Sequence, residues 1–191
     1  MPGSFSVEQI CSKGLALLGQ ASITDITDTA NPNALRCAAT YYITRDSLVS
    51  GYSWSFATKR VMLVASVAAP AFGYTYQYAL PGDCLKVQCA HDRTIKYVIE
   101  SGYLLTDTDE VGIIYSRRVD ESGYFAPIFV DCLSARLARE LAMPILKRAS
   151  AVQIAEGIYR SLIAEAKSCD AIQDNPADLT FEEQSNWLAA R

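Results

Sequence analysis

The stretch YYITRDSLVSGYSWSFATKR, residues 41–60, divides the chain. Up to Val49 it reads as a helix. At Gly51 that pattern stops, and Tyr52, Trp54 and Phe56 follow at spacing two. Alternate residues of a strand fall on one face, so the three rings are expected to form a single aromatic plate and a structural core. A plate of that size needs cover, and the apolar material long enough to supply it lies in helical segments towards the two ends of the chain. The pattern therefore predicts an α+β fold. About four helices from the N- and C-terminal parts gather into a bundle, and an antiparallel β-sheet or small sandwich is inserted between them.

Working back from the hinge, Asn31 and Pro32 start the second helix, a capping side chain followed by a proline at the first helical position. Leu35, Ala38, Ala39, Tyr42 and Val49 mark its expected buried side. Upstream, Ser6 with Gln9 makes a capping box for a first helix, whose stripe is Val7, Ile10, Cys11, Leu15 and Leu18 and which Gly19 ends. The connector ASITDITDTAN joins the two.

Forward from the hinge the period changes. Strands are expected at Thr58 to Val67, around Tyr74, Tyr76 and Tyr78, and at Cys84 to Cys89. Others follow at Ile95 to Ile99, Tyr103 to Leu105 and Val111 to Val119, with tight hairpin connections at Asp92-Arg93 and Ser101-Gly102. Helical spacing returns near Tyr124, with Val130, Leu133, Leu137 and Leu141 buried. Pro144 is expected to end or kink that helix at Met143. Ser150 caps a fourth helix along Val152, Ala155, Tyr159, Leu162, Ala166 and Cys169. Four regions result: N-terminal helices over 1–55, the β region over 56–119, C-terminal helices completing the bundle over 120–171, and an extended acidic tail over 172–191.

Charge is concentrated at that tail. Five of the twenty-one acids and one of the seventeen bases lie from Asp170 onward, so the body is balanced and the tail carries the net charge of −4. No basic footprint for gripping nucleic acid is present in the sequence. No run of about 18 apolar residues occurs, so no membrane span is expected, and the N-terminus lacks the pattern of a secretory signal. The six cysteines show no CxxC spacing and read as buried reduced thiols, which points to a reducing compartment.

Chemistry-bearing motifs are missing: no GxxxxGK, GxGxxG, GxSxG or HExxH occurs. The single histidine, His91, sits beside Asp92 in an expected turn. Asp107, Asp109 and Glu110 fall in an expected loop without the glycine and spacing of a calcium site. No catalytic residue, cofactor or metal is expected. Lys147 and Arg148 occupy the turn between the last two helices, either as solvated charges or as a contact to an acidic patch on a neighbouring subunit. Leu179, Phe181, Trp187 and Leu188 stand among polar residues of the tail, which either folds back on its own body or orders on a partner.

Several fragments, in order, resemble the tail tubular protein A or head-to-tail adaptor (connector) family of short-tailed bacteriophages. They are GLALLGQASIT (Gly14 to Thr24), Leu35 to Cys37, Tyr42, Arg45-Asp46, Trp54-Ser55-Phe56-Ala57 with Arg60, AFGYTYQYALPGDCLKV (Ala71 to Val87) and PIFVDCLSARLARELA (Pro127 to Ala142). The resemblance implies a non-enzymatic virion protein at the head-tail junction, met in the host cytoplasm during assembly. It implies a ring, usually of twelve copies, that binds the portal protein above and the tail nozzle, a tail tubular protein B, below. Double-stranded DNA passes through such a ring without sequence-specific binding, and a tail fibre or spike attaches to it in some members. The C-terminal tail matches a segment that reaches the portal in related adaptors. Two other functions stay open: a head-completion ring protein of a long-tailed phage, and a cytosolic binding module that recognises a ligand through Tyr74, Tyr76 and Tyr78.

Overall fold

The computed structural model describes residues 5–173. The fold is α+β, with four helices and two small antiparallel sheets. Helix α1, Val7–Ala16, begins with the capping box: Gln9 N–H donates to the Ser6 hydroxyl at 3.2 Å, and Ser6 N–H donates to Gln9 Oε1 at 2.9 Å. Gly19, at φ 67°, turns the chain away from it. Helix α2, Pro32–Ser50, is capped by Asn31, whose side chain accepts from Asn33 N–H at 2.9 Å. Helices α3, Pro127–Leu146, and α4, Ala149–Gln173, pack against each other, and α3 also receives α1 and α2.

One core unites these helices. Ile10, Leu15, Tyr41, Val49 and Trp54 from the first third of the chain meet Phe129, Leu133, Leu137 and Ala166 from the last third. The α1–α3 contact is close, because a Cβ built on Gly14 would lie 2.9 Å from the Ser134 carbonyl oxygen. Ser134 in turn donates its hydroxyl to the Ile10 carbonyl at 3.2 Å, so a buried polar side chain closes the approach with a bond.

The hinge departs from the expected plate. Trp54 is followed by a 3-10 turn, Ser55–Ala57, and not by a strand. The rings do meet, but as a three-dimensional cluster. Tyr52 and Phe129 each stand edge-on to Trp54 at 5.0 Å, and Phe56 lies 4.8 Å from Phe129 and 5.7 Å from Phe125. Edge-on aromatic pairs of this kind each add about 0.5–1.5 kcal/mol beyond their burial. Two polar groups hold the turn: Trp54 Nε1 donates to the Leu48 carbonyl at 3.0 Å, and the buried Asp170 carboxylate accepts from Ser55 N–H at 3.1 Å and from its hydroxyl at 2.7 Å.

The strands are β1, Thr58–Met62; β2, Tyr76–Ala79; β3, Cys84–Ala90; β4, Tyr97–Glu100; β5, Tyr103–Thr106; and β6, Gly112–Arg117. One sheet has the order β1-β6-β3 and the other β2-β5-β4, with all pairs antiparallel. Tyr78 and Leu104 from the second sheet join Ala90, Ile113 and Tyr115 from the first in a shared core. The β4–β5 hairpin turns at Ser101 and Gly102, both at positive φ, which is the geometry that matches strand twist in a two-residue loop. Asp92-Arg93 makes no hairpin, because β3 pairs with β6 and the chain passes from one sheet to the other there.

Four further expectations are corrected. The strand opening at Thr58 ends at Met62, after which Ala65 makes only a single bridge to Tyr78. Helix α2 buries Val49 as expected but is otherwise rotated by about one residue, burying Ala34, Cys37, Tyr41, Thr44, Arg45 and Leu48 while Leu35, Ala39 and Tyr42 face outward. Helix α3 does not end at Met143 but runs through Pro144 to Leu146, because a proline in the last turn forfeits one internal bond and Met143 still accepts from Lys147 N–H at 3.0 Å. Helix α4 already includes Ser150, and near its end it buries Asp170 while Cys169 is exposed.

Candidate interaction surfaces

Of the residues singled out in the sequence, Tyr52, Trp54 and Phe56 come together at the hinge as interior residues. Trp54 is fully buried, and Tyr52, half-buried, donates its hydroxyl to the Lys167 carbonyl of α4 at 3.2 Å. Lys147 and Arg148 form the turn between α3 and α4. Lys147 takes the left-handed conformation, φ 51° and ψ 33°, as the C-cap of α3, and its charge lies where the helix dipole favours a cation. Both side chains are exposed, beside the exposed apolar Met143. Leu179, Phe181, Trp187 and Leu188 lie outside the described residues.

A charge network fixes the helical part to the first sheet. Arg45, nearly buried, sends Nη2 to Asp46 Oδ1 at 2.8 Å and to Asp120 Oδ1 at 3.0 Å. The other Asp46 oxygen accepts from Arg118 Nε at 2.8 Å, just beyond β6. A second polar knot sits at the start of β3. Asp83 accepts from the Tyr115 hydroxyl at 2.9 Å and pairs with Lys59 at 3.3 Å. Burial pushes its carboxyl up, but the Tyr115 hydroxyl and Lys59 outweigh that and hold it below the ordinary value of 3.8.

Concave surfaces among the described residues include grooves at the β region and one bordered by α2, α3 and α4. One of about 390 Å³ is bordered by His91, Asp92, Lys96, Thr106 and Glu110. His91 is tied to Gly112: its ring Nδ1 accepts from Gly112 N–H at 2.9 Å, and its backbone N–H donates to the Gly112 carbonyl at 2.8 Å. Asp107 caps the chain before β2, accepting from Thr75 N–H and hydroxyl at 2.9 Å each. Among the described residues no three His, Cys, Asp or Glu side chains gather as metal ligands, and no helix is long and apolar enough to cross a membrane.

Among the described residues two apolar surfaces are prominently exposed, and neither is in the set that the sequence singled out as sites. The first is the outer face of α2, where Leu35, Ala39, Tyr42 and Ile43 follow one another at helical steps, Ile43 being 74% exposed. The second is the segment 62–72 after β1, where Val64 is 84% and Phe72 88% exposed and Val67 is wholly in solvent. The sequence carried a signal for this segment, since no charged residue occurs from Val61 to Gly82. A surface loop without a single charge is unusual enough to mark. No protein-family model matches this chain, and no curated protein matches it either.

Proposed function

We propose that this chain is a structural subunit of a head-to-tail adaptor ring of a short-tailed bacteriophage, seated between the portal and the tail nozzle and extending the channel through which DNA leaves the head. The observation that carries the reading is the amount of apolar side chain left uncovered on an otherwise well-satisfied body, on α2 and on the segment after β1. A subunit whose work is contact with copies of itself and with stacked neighbours needs such faces, and a ring closes when one surface repeats against a different one around an axis. The residues behind the family resemblance support it further. The Trp54–Ala57 turn and the Pro127–Ala142 helix contribute to the helical core, and Arg45-Asp46 ties it to the chain beyond β6 through Asp120 and Arg118.

In this role the protein catalyses nothing and holds no cofactor. Its balanced body lets DNA pass, since a basic lining would retain phosphates. The portal contact is assigned to the C-terminal tail through Leu179, Phe181, Trp187 and Leu188. Twelve copies, the nozzle below and a docked fibre or spike complete the proposal. The test is to mix purified protein with portal and record mass and negative-stain images. Rings on the portal are expected, and deletion of residues 174–191 is expected to leave a folded protein that no longer joins it. A monomer that ignores the portal would sink the proposal, and unchanged joining by the deletion would return the tail to a role within its own chain.

A further inference from the structure

The segment 63–75 is apolar outward and tied inward. Leu63 N–H donates to the Val111 carbonyl at 2.9 Å, Ser66 N–H donates to the Gln77 carbonyl at 2.8 Å, and Ala65 bridges Tyr78. Leu63 itself packs on the β core. The loop is therefore held against the second sheet while Val64, Val67 and Phe72 point away from it, with Ala65, Ala68, Ala69 and Ala71 exposed between them. Connections of this length without regular structure are uncommon in compact domains and usually serve a function. With Met62, Val64, Val67 and Phe72 each at least half exposed along it, the segment leaves more apolar side chain bare than a monomer ordinarily does.

We infer that this loop of one subunit lies on the outer face of α2 of the next subunit. The choice of a second copy as occupant rests on the ring reading above. Chemistry narrows it in the same direction. Glu100 lines the loop's groove and Asp107 holds Thr75, with Arg60 beside Met62, so the loop offers no basic cluster for an anionic lipid surface or DNA. The α2 stripe is apolar as well, and the cation at its margin is Arg36, opposite in sign to Glu100. A loop made of alanines around Val67 and Phe72 allows close approach to a ridge of Leu35, Tyr42 and Ile43. Because loop and helix face are different surfaces, the contact is heterologous and each subunit has one half free for the next neighbour.

The experiment uses the full chain with Phe72→benzoylphenylalanine, prepared as a mixture of isotope-labelled and unlabelled protein and irradiated both alone at high concentration and on the portal. Mixed-isotope cross-links that map to residues 32–47 are expected. Val67→Asp with Phe72→Asp, and separately Tyr42→Asp with Ile43→Asp, are expected to weaken self-association about tenfold or more, the scale of losing a buried anchor. Circular dichroism should stay as in the parent, since all four side chains are exposed. Cross-links between copies that map elsewhere, or aspartate variants that assemble like the parent, overturn the loop-to-helix contact and leave the ring standing. Absence of any cross-link between copies in both settings overturns the contact, while the ring stands or falls separately on the mass and images recorded with portal.

Discussion

Arg45 is the residue whose surroundings have the most to lose. Its guanidinium is charged and nearly buried, held by Asp46 and Asp120, and removal of one partner from such a pair leaves an uncompensated charge in a poor solvent. Asp46→Ala is expected to cost roughly 3 kcal/mol in urea unfolding. Asp120, 76% exposed, belongs to the other regime, and Asp120→Ala should cost less than about 1 kcal/mol in the same assay. Asp83 sets a pH dependence. Its folded carboxyl titrates below 3.8, so its contribution is complete above that value and is lost as the pH falls through the lower, folded one. Asp83→Asn should therefore be less stable than the parent at neutral pH, with the gap closing in acid, as followed by thermal melts across a pH series. The thiols give a third outcome. Burial pushes Cys132 up to about 12, and the hydrogen bond to Cys37 together with burial pushes Cys11 higher than an ordinary thiol. Titration with a thiol reagent at mild alkaline pH should label exposed Cys169 at once, and Cys11 and Cys132 only on unfolding.

At the scale of elements, Gly14 decides between two opposed effects. Alanine is favoured over glycine in a helix interior by about 1 kcal/mol. At Gly14, however, the new methyl would meet the Ser134 carbonyl at 2.9 Å and Leu137 Cβ at 3.3 Å, and neither backbone nor a packed helix yields readily. Gly14→Ala is expected to destabilise by about 1–3 kcal/mol, the usual cost of overpacking, with a lower urea midpoint as the readout. The helix starts were legible because a capping box at Ser6 and an Asn-Pro pair at 31–32 are local devices that need no tertiary partner. The face of α2 was not. Leu35, Ala39 and Tyr42 form as good an apolar stripe as Ala34, Cys37 and Tyr41, and the side that is buried also carries Thr44 and Arg45. Periodicity cannot choose a face whose buried arginine is paired with Asp120, seventy-five positions further along. The hinge misled for a related reason: spacing two suggests a strand, but Asp170 of α4 captures Ser55 and supports a 3-10 turn in its place.

For the molecule as a whole, the helical body with an inserted β region was readable from changes of period along the chain. The pairing of strands was less so, because the order β1-β6-β3 joins segments far apart in sequence and only the Ser101-Gly102 turn announces its own hairpin. Of the candidate surfaces, the Lys147-Arg148 turn was legible as an exposed turn between two helical patterns, and the uncovered side of α2 could be seen only once its partner helix was in place. Lys147→Glu together with Arg148→Glu is expected to weaken assembly of the proposed ring more at low salt than at high, measured by sedimentation, while folding is retained, because both side chains are exposed. Assembly that ignores the reversal would make the pair ordinary surface charges. The division of the helical core between the two ends of the chain also governs its birth. Ser134 reaches Ile10 across 124 positions, so α1 and α2 leave the ribosome long before α3 exists to receive them. At synthesis rates of about 10 residues per second that wait lasts on the order of ten seconds. Through it the nascent polypeptide carries a naked greasy flank, a natural station for a chaperone until the missing half arrives.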